Sequence, residues 1–227
     1  MDICDFHSHI LPSADHGSSS VEESLKQLNL AKRYGVSRIV ATSHFYPHRD
    51  SVEAFLNRRD AAYSTLVATM PDGMPEVKLA AEVLLCANLD ELPDLCDLCI
   101  LGTNTLLIEL PFNDFGNEYV HAVEGMIDRG YRVILAHAEC YDAQNVERLI
   151  ALGALVQINA SALAGTFTKK AIKSWKKRHK IVALGSDIHG ADRHAYKNFV
   201  RAIRRLGDYA EYVKEKSDMI WESSAPL

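Results

Sequence analysis

Residue types that bind metals recur along this sequence at the ends of short apolar runs. The segment Asp5-Phe6-His7-Ser8-His9 opens the chain and places two histidines two residues apart. Side chains at positions i and i+2 of a strand point to the same side, so both imidazoles are expected to reach one metal ion. Further candidate ligands follow later apolar runs, and these are His44, Glu82, Glu109, His137, Asp187 and His189. Nitrogen and oxygen donors at strand ends predict a metal centre.

The sequence between these residues alternates short β-rich runs with longer amphipathic ones. Seven runs predict strands, at residues 2–6, 37–42, 76–84, 105–110, 131–136, 154–158 and 181–185. Seven others predict helices, near residues 21–34, 51–69, 88–98, 117–129, 143–152, 168–179 and 192–206. Nearly continuous apolar strands between amphipathic helices indicate a parallel sheet covered on both faces, or a closed barrel. In such α/β architectures chemistry collects at the carboxyl ends of the strands, where these candidate ligands fall.

Length and composition fit a single globular domain over residues 1–227. The chain is 48% hydrophobic, which is typical of a soluble protein with a full core. Its net charge of −5 predicts no nucleic-acid partner, and no apolar run approaches the ~18 residues that membrane insertion needs. Five scattered cysteines and the lack of a signal-peptide pattern predict a cytoplasmic protein. A basic run over residues 169–178 has helical spacing, and it is either a solvated face or a docking surface.

The motifs, taken in order, resemble those of the PHP (polymerase and histidinol phosphatase) superfamily. They are most similar to the bacterial tyrosine-protein phosphatases of capsule and exopolysaccharide operons. Those proteins carry D-x-H-x-H-I-L-P followed by D-D-G, which residues 5–12 and 15–17 resemble. Their I-L-A-H-P-E-R-Y motif resembles residues 134–141, their N-A-x-S-L-x-G motif resembles residues 159–165, and their A-S-D-x-H ending resembles residues 185–189. The resemblance therefore spans nearly the whole chain.

This resemblance implies a distorted (β/α)7 TIM-like barrel with its metal site at the C-terminal ends of the strands. It implies a metal-dependent phosphatase that hydrolyses phosphate monoesters by attack of a metal-bridging hydroxide. Phosphotyrosine on a protein of capsular or exopolysaccharide biosynthesis is the implied substrate, and a tyrosine kinase is the implied partner. No cysteine here begins the C-x5-R loop of cysteine-dependent tyrosine phosphatases, which agrees with chemistry that needs no protein nucleophile.

The resemblance also implies which residues hold the ions, two or three in number, with manganese first and zinc or iron as alternatives. The first ion would take His7, His9, Glu82 and Asp187, the second Glu82, Glu109 and His137, and the third His16, His44 and His189. Glu82 would be catalytic as the carboxylate that bridges two ions. The family has an aspartate at the position of His16, and an imidazole there removes one negative charge. Asp15 is the alternative ligand at this point.

Basic residues near these motifs are candidates for binding the phosphate. Arg193 follows the last histidine of the pattern and is expected to act in substrate binding and catalysis. Arg49 and His48 lie close to His44 in sequence and are further candidates to contact substrate, although Arg49 also fits a solvated charge at a helix start. The arginine of the family's H-P-E-R-Y motif is replaced by Cys140, which removes one bidentate phosphate contact.

Other functions remain open at this point. A small-molecule phosphatase of the same superfamily, such as histidinol-phosphate phosphatase, would share the metal site and differ in its substrate loops. A non-catalytic metal-binding regulatory protein is expected to lack ligands, whereas every implied position here holds a competent donor. Amidohydrolases and TatD-type nucleases also begin with His-x-His, but a binuclear amidohydrolase usually bridges its metals with a lysine, where this chain has Glu82 and Glu109.

Overall fold

Seven parallel strands close into a barrel in a computed structural model that describes residues 4–112, 115–165 and 168–223. Each strand pairs with the next in chain order, and the first also pairs with the seventh. The strands are β1 (Asp5–Ser8), β2 (Arg38–Phe45), β3 (Glu76–Leu84), β4 (Thr105–Glu109), β5 (Arg132–Leu135), β6 (Leu155–Asn159) and β7 (Ile181–Gly185). The predicted (β/α)7 barrel is confirmed.

Helices cover the outside of this barrel. They are α1 (Val21–Arg33), α2 (Val52–Val67), α3 (Asn117–Asp128), α4 (Ala143–Leu152), α5 (Ala160–Ala164), α6 (Lys170–Lys177), α7 (Ala195–Leu206) and α8 (Tyr209–Glu222). Local sequence sets their ends, as α1 shows. The Ser20 side chain accepts the N–H of Glu23 at its start, and Gly35 takes a left-handed φ of 81° just after its end. Within the described residues, none of the helices has the length and apolar character that crossing a membrane requires.

The predicted helix at 88–98 is wrong, because this segment forms two short 3-10 helices, Leu89–Glu91 and Leu95–Leu98. Pro93 lacks an N–H donor and holds the preceding Leu92 in an extended conformation, so a continuous helix cannot pass through it. Asn88 and Asp94 start the two turns in left-handed conformations. The helices α5 and α8 were not predicted.

Two strand boundaries also differ from the prediction. The first strand was predicted over residues 2–6, of which residues 2 and 3 lie outside the described residues, and β1 instead runs from Asp5 to Ser8. β2 continues to Phe45, so His44 lies within the strand and not after it. This difference changes what His44 contacts.

The two ends of the barrel have different side chains. Inside the barrel, apolar residues such as Phe6 and Ile134 pack with Trp221 of α8. Trp221 lies against Arg38, the first residue of β2, and its backbone oxygen accepts a hydrogen bond from Lys78. Helix α8 therefore closes the end where the strands begin. The opposite end, where the strands finish, carries the polar residues.

Candidate metal centre

The ends of β1, β3 and β7 bring the four predicted ligands of the first ion together. The Nε2 atoms of His7 and His9 lie 3.1 Å apart. Glu82 Oε2 lies 3.1 Å from His7 Nε2 and 3.3 Å from His9 Nε2. Asp187 Oδ1 lies 3.6 Å and 3.5 Å from the same two nitrogens. The two histidines of the His-x-His motif thus point to the same side of β1, as their spacing predicted. Their role in metal binding stays a prediction.

Glu82 also connects this group to the predicted ligands of the second ion. Its Oε1 atom lies 2.8 Å from His137 Nε2, and its Oε2 atom lies 3.1 Å from His44 Nδ1. His44 Nδ1 is 3.9 Å from Glu109 Oε2. Ligand atoms of His44, Glu82 and Glu109 lie within 4.8 Å of one another, close enough to share one ion. The structure thus places His44 beside this pair of carboxylates, whereas the family resemblance implied a place for it at the third ion.

The predicted ligands of the third ion form a stack of imidazoles at the rim of the barrel. Ring nitrogens of His9, His44 and His189 lie within 4.8 Å of one another. The His16 ring stacks against the rings of His44 and His189, with centroid distances of 4.6 Å and 4.8 Å. His16 is exposed, whereas His9 and His44 are buried. His16 therefore closes the cluster on its solvent side.

Several buried polar atoms of the cluster have no hydrogen-bond partner. They are Glu82 Oε2, both ring nitrogens of His44, His137 Nδ1 and His189 Nε2. Leaving such an atom unsatisfied costs about 1–3 kcal/mol, so a group of them in one place needs a physical reason. Imidazole nitrogens and carboxylate oxygens that converge on a common point are the donor set of Mn²⁺, Fe²⁺ and Zn²⁺ sites. These residues therefore fit a divalent-metal centre.

The protonation of the cluster also depends on its charges. Burial raises the pKa of Glu109 to about 7, and the negative charge of Glu82 adds to the rise. Burial alone would lower the pKa of His9, but the adjacent carboxylates of Asp15 and Glu82 raise it to about 10. A cation must displace the protons that these groups hold, so metal affinity is expected to rise with pH.

Asp15 lies behind His9 and not among the converging ligand atoms. Its Oδ2 atom accepts hydrogen bonds from His9 Nδ1 at 2.8 Å and from the His44 N–H at 3.0 Å, and its Oδ1 atom accepts from the Gly17 N–H at 2.8 Å. Burial would raise the pKa of Asp15, but the His9 ring and these N–H groups lower it well below its usual range. We infer that Asp15 orients the His9 ring, as carboxylates behind metal-binding histidines do.

A chain of amides on β6 performs the same task for His7 and was not predicted from the sequence. Gln157 Oε1 accepts hydrogen bonds from His7 Nδ1 at 3.1 Å and from the His137 N–H at 2.7 Å. Gln157 Nε2 donates to Asn159 Oδ1 at 2.9 Å, and Asn159 Nδ2 donates to Asp187 Oδ2 at 2.7 Å. One feature of the sequence could have indicated this role. Gln157 lies inside an apolar strand, and a buried polar side chain requires hydrogen-bond partners.

Replacing Gln157 with leucine is expected to weaken metal binding about tenfold, because such supporting contacts hold ligand rings in place. The His7 ring would lose its acceptor, and the buried His137 N–H would lose its partner. Isothermal titration of metal-free protein with Mn²⁺ measures the change. Gln144→Leu, on the exposed side of α4, is the matched control and should bind as the unmodified protein does. Equal affinities for a folded Gln157→Leu variant and this control would refute the proposed support.

The backbone around the cluster is strained at two of the predicted ligands. His137 and Asp187 have φ values of 29° and 50°, a region that residues other than glycine rarely occupy. Strain of this kind costs about 1–3 kcal/mol per residue and persists where surrounding contacts enforce it. Gly185 is required nearby, because a Cβ atom there would lie 2.5 Å from atoms of both His7 and Gln157. The turn after β7 is thus shaped around the cluster.

Two of the predicted substrate-binding residues lie against the ring of Tyr46, which itself stacks on a residue of the cluster. The Tyr46 ring lies nearly parallel to the His44 ring, with centroids 5.3 Å apart. The guanidinium of Arg49 lies 5.1 Å from the Tyr46 centroid, and the His48 ring lies 6.0 Å from it. Arg49 and His48 are both exposed. They border the mouth of the site, and their contact with substrate stays a prediction.

Arg193 and Cys140 are also exposed. Arg193 Nε donates to His194 Nε2 at 3.3 Å, and within the described part of the chain it forms no hydrogen bond or ion pair with a predicted metal ligand. Cys140 ends the short 3-10 helix Ala138–Cys140, and its N–H donates to the His137 oxygen at 2.8 Å. Cys140 therefore lies directly beside a predicted ligand, and the catalytic role of Arg193 stays a prediction.

The chain is similar to known proteins over most of its length. Tyrosine-protein phosphatase CpsB of Streptococcus pneumoniae is 28% identical over 207 residues, covering 83% of each chain. Tyrosine-protein phosphatase YwqE of Bacillus subtilis (strain 168) is 27% identical over 202 residues, covering 82% of this chain and 76% of its own. A structure from work on YwqE and CpsB, described as unique metal-dependent tyrosine phosphatases, superposes with a TM-score of 0.80 at 22% identity. It covers 99% of this chain and 96% of that one.

The barrel itself is shared more widely. A probable 2-pyrone-4,6-dicarboxylic acid hydrolase from Acinetobacter baumannii superposes with a TM-score of 0.55 at 13% identity, which reflects the fold alone. The model of the family described as capsular polysaccharide synthesis, CpsB/CapC, matches residues 3–216. The match includes every candidate ligand and confirms the resemblance seen in the motifs. The chain therefore belongs to the CpsB/CapC family of capsular polysaccharide synthesis.

Proposed function

We propose that this chain is a metal-dependent phosphatase that hydrolyses phosphotyrosine on a protein of capsular or exopolysaccharide synthesis. The observation that carries the proposal is that one carboxylate oxygen of Glu82 and one of Asp187 each lie within 3.6 Å of the Nε2 atoms of both His7 and His9. The relatives named tyrosine-protein phosphatase support the substrate class. A phosphorylated tyrosine kinase is the proposed partner.

The proposed metal content is two or three divalent ions. We favour Mn²⁺ because carboxylates contribute beside the imidazoles, and carboxylate oxygens suit this metal, while zinc and iron remain alternatives. When bound, such ions polarise the phosphoryl oxygens and lower the pKa of a water molecule. The nine proposed ligands are His7, His9, His16, His44, Glu82, Glu109, His137, Asp187 and His189.

The chain's own residues fix the geometry of this centre and exclude water from its inner side. Glu82 is the proposed bridge, because its two oxygens face four different imidazoles at 2.8–3.3 Å. Asp15 and Gln157 hold the rings of His9 and His7 by their Nδ1 atoms, which leaves both Nε2 atoms directed at the common point. Arg193 and Arg49 are proposed to approach the phosphate from the solvent side.

The function is tested by measuring kcat/KM on three substrates and comparing the values. Metal analysis of the same preparation accompanies these measurements. A phosphotyrosine peptide should be hydrolysed faster than histidinol phosphate, and p-nitrophenyl phosphate should report the chemistry without a polypeptide. The second candidate function is a small-molecule phosphatase, which the replacement of the family arginine by Cys140 favours. A higher kcat/KM for histidinol phosphate would select that candidate.

Cys140→Arg is expected to raise kcat/KM on p-nitrophenyl phosphate at least tenfold. A restored charge-assisted contact with phosphate contributes about 1.5–3 kcal/mol, and the exposed position beside His137 has room for the longer side chain. Arg193→Ala should lower the same parameter by a similar factor, because Arg193 would be the remaining bidentate donor. Steady-state kinetics measures both effects.

Cys140→Lys is the matched control for this gain, because lysine adds the charge without the planar fork of arginine. It should recover only part of the increase. An unchanged or lower kcat/KM for a folded, metal-loaded Cys140→Arg variant would mean that the pocket is shaped for a different substrate.

A further inference from the structure

The basic residues of this acidic chain are concentrated in one segment. Residues 168–206 contain 12 of the 25 Lys and Arg residues but 2 of the 30 Asp and Glu residues, while the whole chain has a net charge of −5. The segment comprises α6, β7 and α7. One flank of the barrel is therefore strongly positive, and the remainder of the chain carries an excess of negative charge.

Six of these basic side chains are exposed and form neither a salt bridge nor a hydrogen bond with the described residues. They are Lys170, Lys173 and Lys177 on α6 and Lys197, Arg201 and Arg204 on α7, and together they are called the basic surface. Lys176 Nζ donates to the Leu206 oxygen at 2.8 Å, which joins α6 to the end of α7. Because both helices flank β7, their charges lie on the same side of the barrel. Arg178 is not included because it pairs with Glu147.

The basic surface begins at the rim of the metal centre. Lys169, which precedes α6, donates from Nζ to the Glu139 oxygen at 2.7 Å, two residues after the predicted ligand His137. On the other side, β7 is followed by Asp187 and His189 before α7 begins at Ala195. Both helices thus start at the end of the barrel that holds the site and run away from it. An extended anion whose phosphate lay in the centre would continue along these helices.

The chemistry of this surface favours a polypeptide over a membrane. Ile172, Trp175, Phe199 and Leu206 of its helices are buried, and Val200 and Ile203 are partly buried. The exposed large hydrophobic residues of the described chain lie outside the segment, at Val67, Leu101, Phe112 and Met219. A helix that docks on a membrane exposes a broad apolar face beside its charges, whereas the fully exposed residues of these helices are all charged apart from Ser174.

We propose that the basic surface binds acidic residues flanking the phosphotyrosine of the polypeptide substrate. The inference rests on the proposed phosphatase function and adds a substrate preference to it. Unpaired lysines and arginines steer an acidic segment to the site and speed its association, and salt screens this effect. A small aryl phosphate has no flanking residues and gains little from the surface.

The test compares two phosphotyrosine peptides that differ only in flanking glutamates or glutamines. The unmodified protein should show a kcat/KM about tenfold higher for the acidic peptide at low salt, and the preference should fall as salt is added. The double variant Lys173→Glu with Arg201→Glu should lose this preference and keep its activity on p-nitrophenyl phosphate within about twofold. The control, Lys32→Glu with Arg33→Glu in the last turn of α1, makes the same change in charge and should keep the preference.

Three results would overturn the proposal. Equal kcat/KM values for both peptides with the unmodified protein would do so, as would equal loss of preference in both double variants. Sedimentation with phosphatidylserine vesicles that requires Lys173 and Arg201, together with equal peptide kinetics, would assign the surface to a membrane instead. Fluorescence anisotropy of the labelled acidic peptide gives a binding measurement without turnover. If the protein showed no phosphatase activity, the proposed function would be refuted, and the anisotropy measurement would still test the basic surface.

Discussion

Replacing Glu82 with glutamine is expected to lower phosphatase activity about 10³-fold, because a metal centre contributes several kcal/mol and each 1.36 kcal/mol changes the rate tenfold. Glu82 is fully buried, and its oxygens lie 2.8 Å from His137 and 3.1 Å from both His7 and His44. The amide keeps the shape of the side chain but removes its charge and turns an N–H2 group toward the ligands. Metal analysis should show the loss of at least one ion per chain.

Cys140→Ala is the control for this variant. The thiol is exposed and no nucleophilic role is proposed for it, so most of the activity should remain. Circular dichroism of both variants separates a lost site from a lost fold. Similar losses of activity in Glu82→Gln and Cys140→Ala would point to cysteine chemistry and against a metal-dependent reaction.

Asp15→Asn is expected to weaken metal binding up to about 100-fold without removing a proposed ligand, as loss of a supporting carboxylate does. The carboxylate accepts hydrogen bonds from the His9 ring and from two backbone N–H groups. An amide can retain only some of these contacts and loses the charge that favours the His9 tautomer with Nε2 free. Competition with a chelator of known affinity measures the dissociation constant.

Asp218→Asn is the matched control for this measurement. Asp218 also pairs with cationic side chains, Arg38 and Lys214, but it lies on α8 at the opposite end of the barrel. Its replacement should leave metal affinity unchanged. If Asp15→Asn binds metal as tightly as Asp218→Asn, Asp15 does not orient the ligand.

Much of the fold followed from the sequence because short apolar runs and amphipathic runs alternate without interruption. Parallel strands of a barrel finish at one end, so ligand-type residues after successive runs had to meet there. Helix α8 was not predicted, although its residues Ile220 and Trp221 pack against the inside of the barrel. The segment at 88–98 was misassigned because Pro93 in its middle breaks an otherwise helical pattern.

The pairing of strands explains what the sequence did not reveal about the site. His44 is opposite Glu82 in the β2–β3 register, and this places its ring against the carboxylate and close to Glu109. The register of two strands depends on the packing of the whole barrel, so it cannot be read from the motif around one histidine. The supporting contacts of Gln157 cross from β6 to β1 and were hidden for the same reason.

Hydrolysis of a phosphotyrosine peptide before and after metal removal tests the central claim most directly. We expect activity to disappear when a chelator strips the protein and to return as Mn²⁺ is restored, reaching its maximum at two or three ions per chain. Metal analysis of each sample gives the stoichiometry, and thermal unfolding shows that the stripped chain remains folded. A folded, metal-free preparation that still hydrolyses the peptide at the original rate would contradict the proposed metal centre.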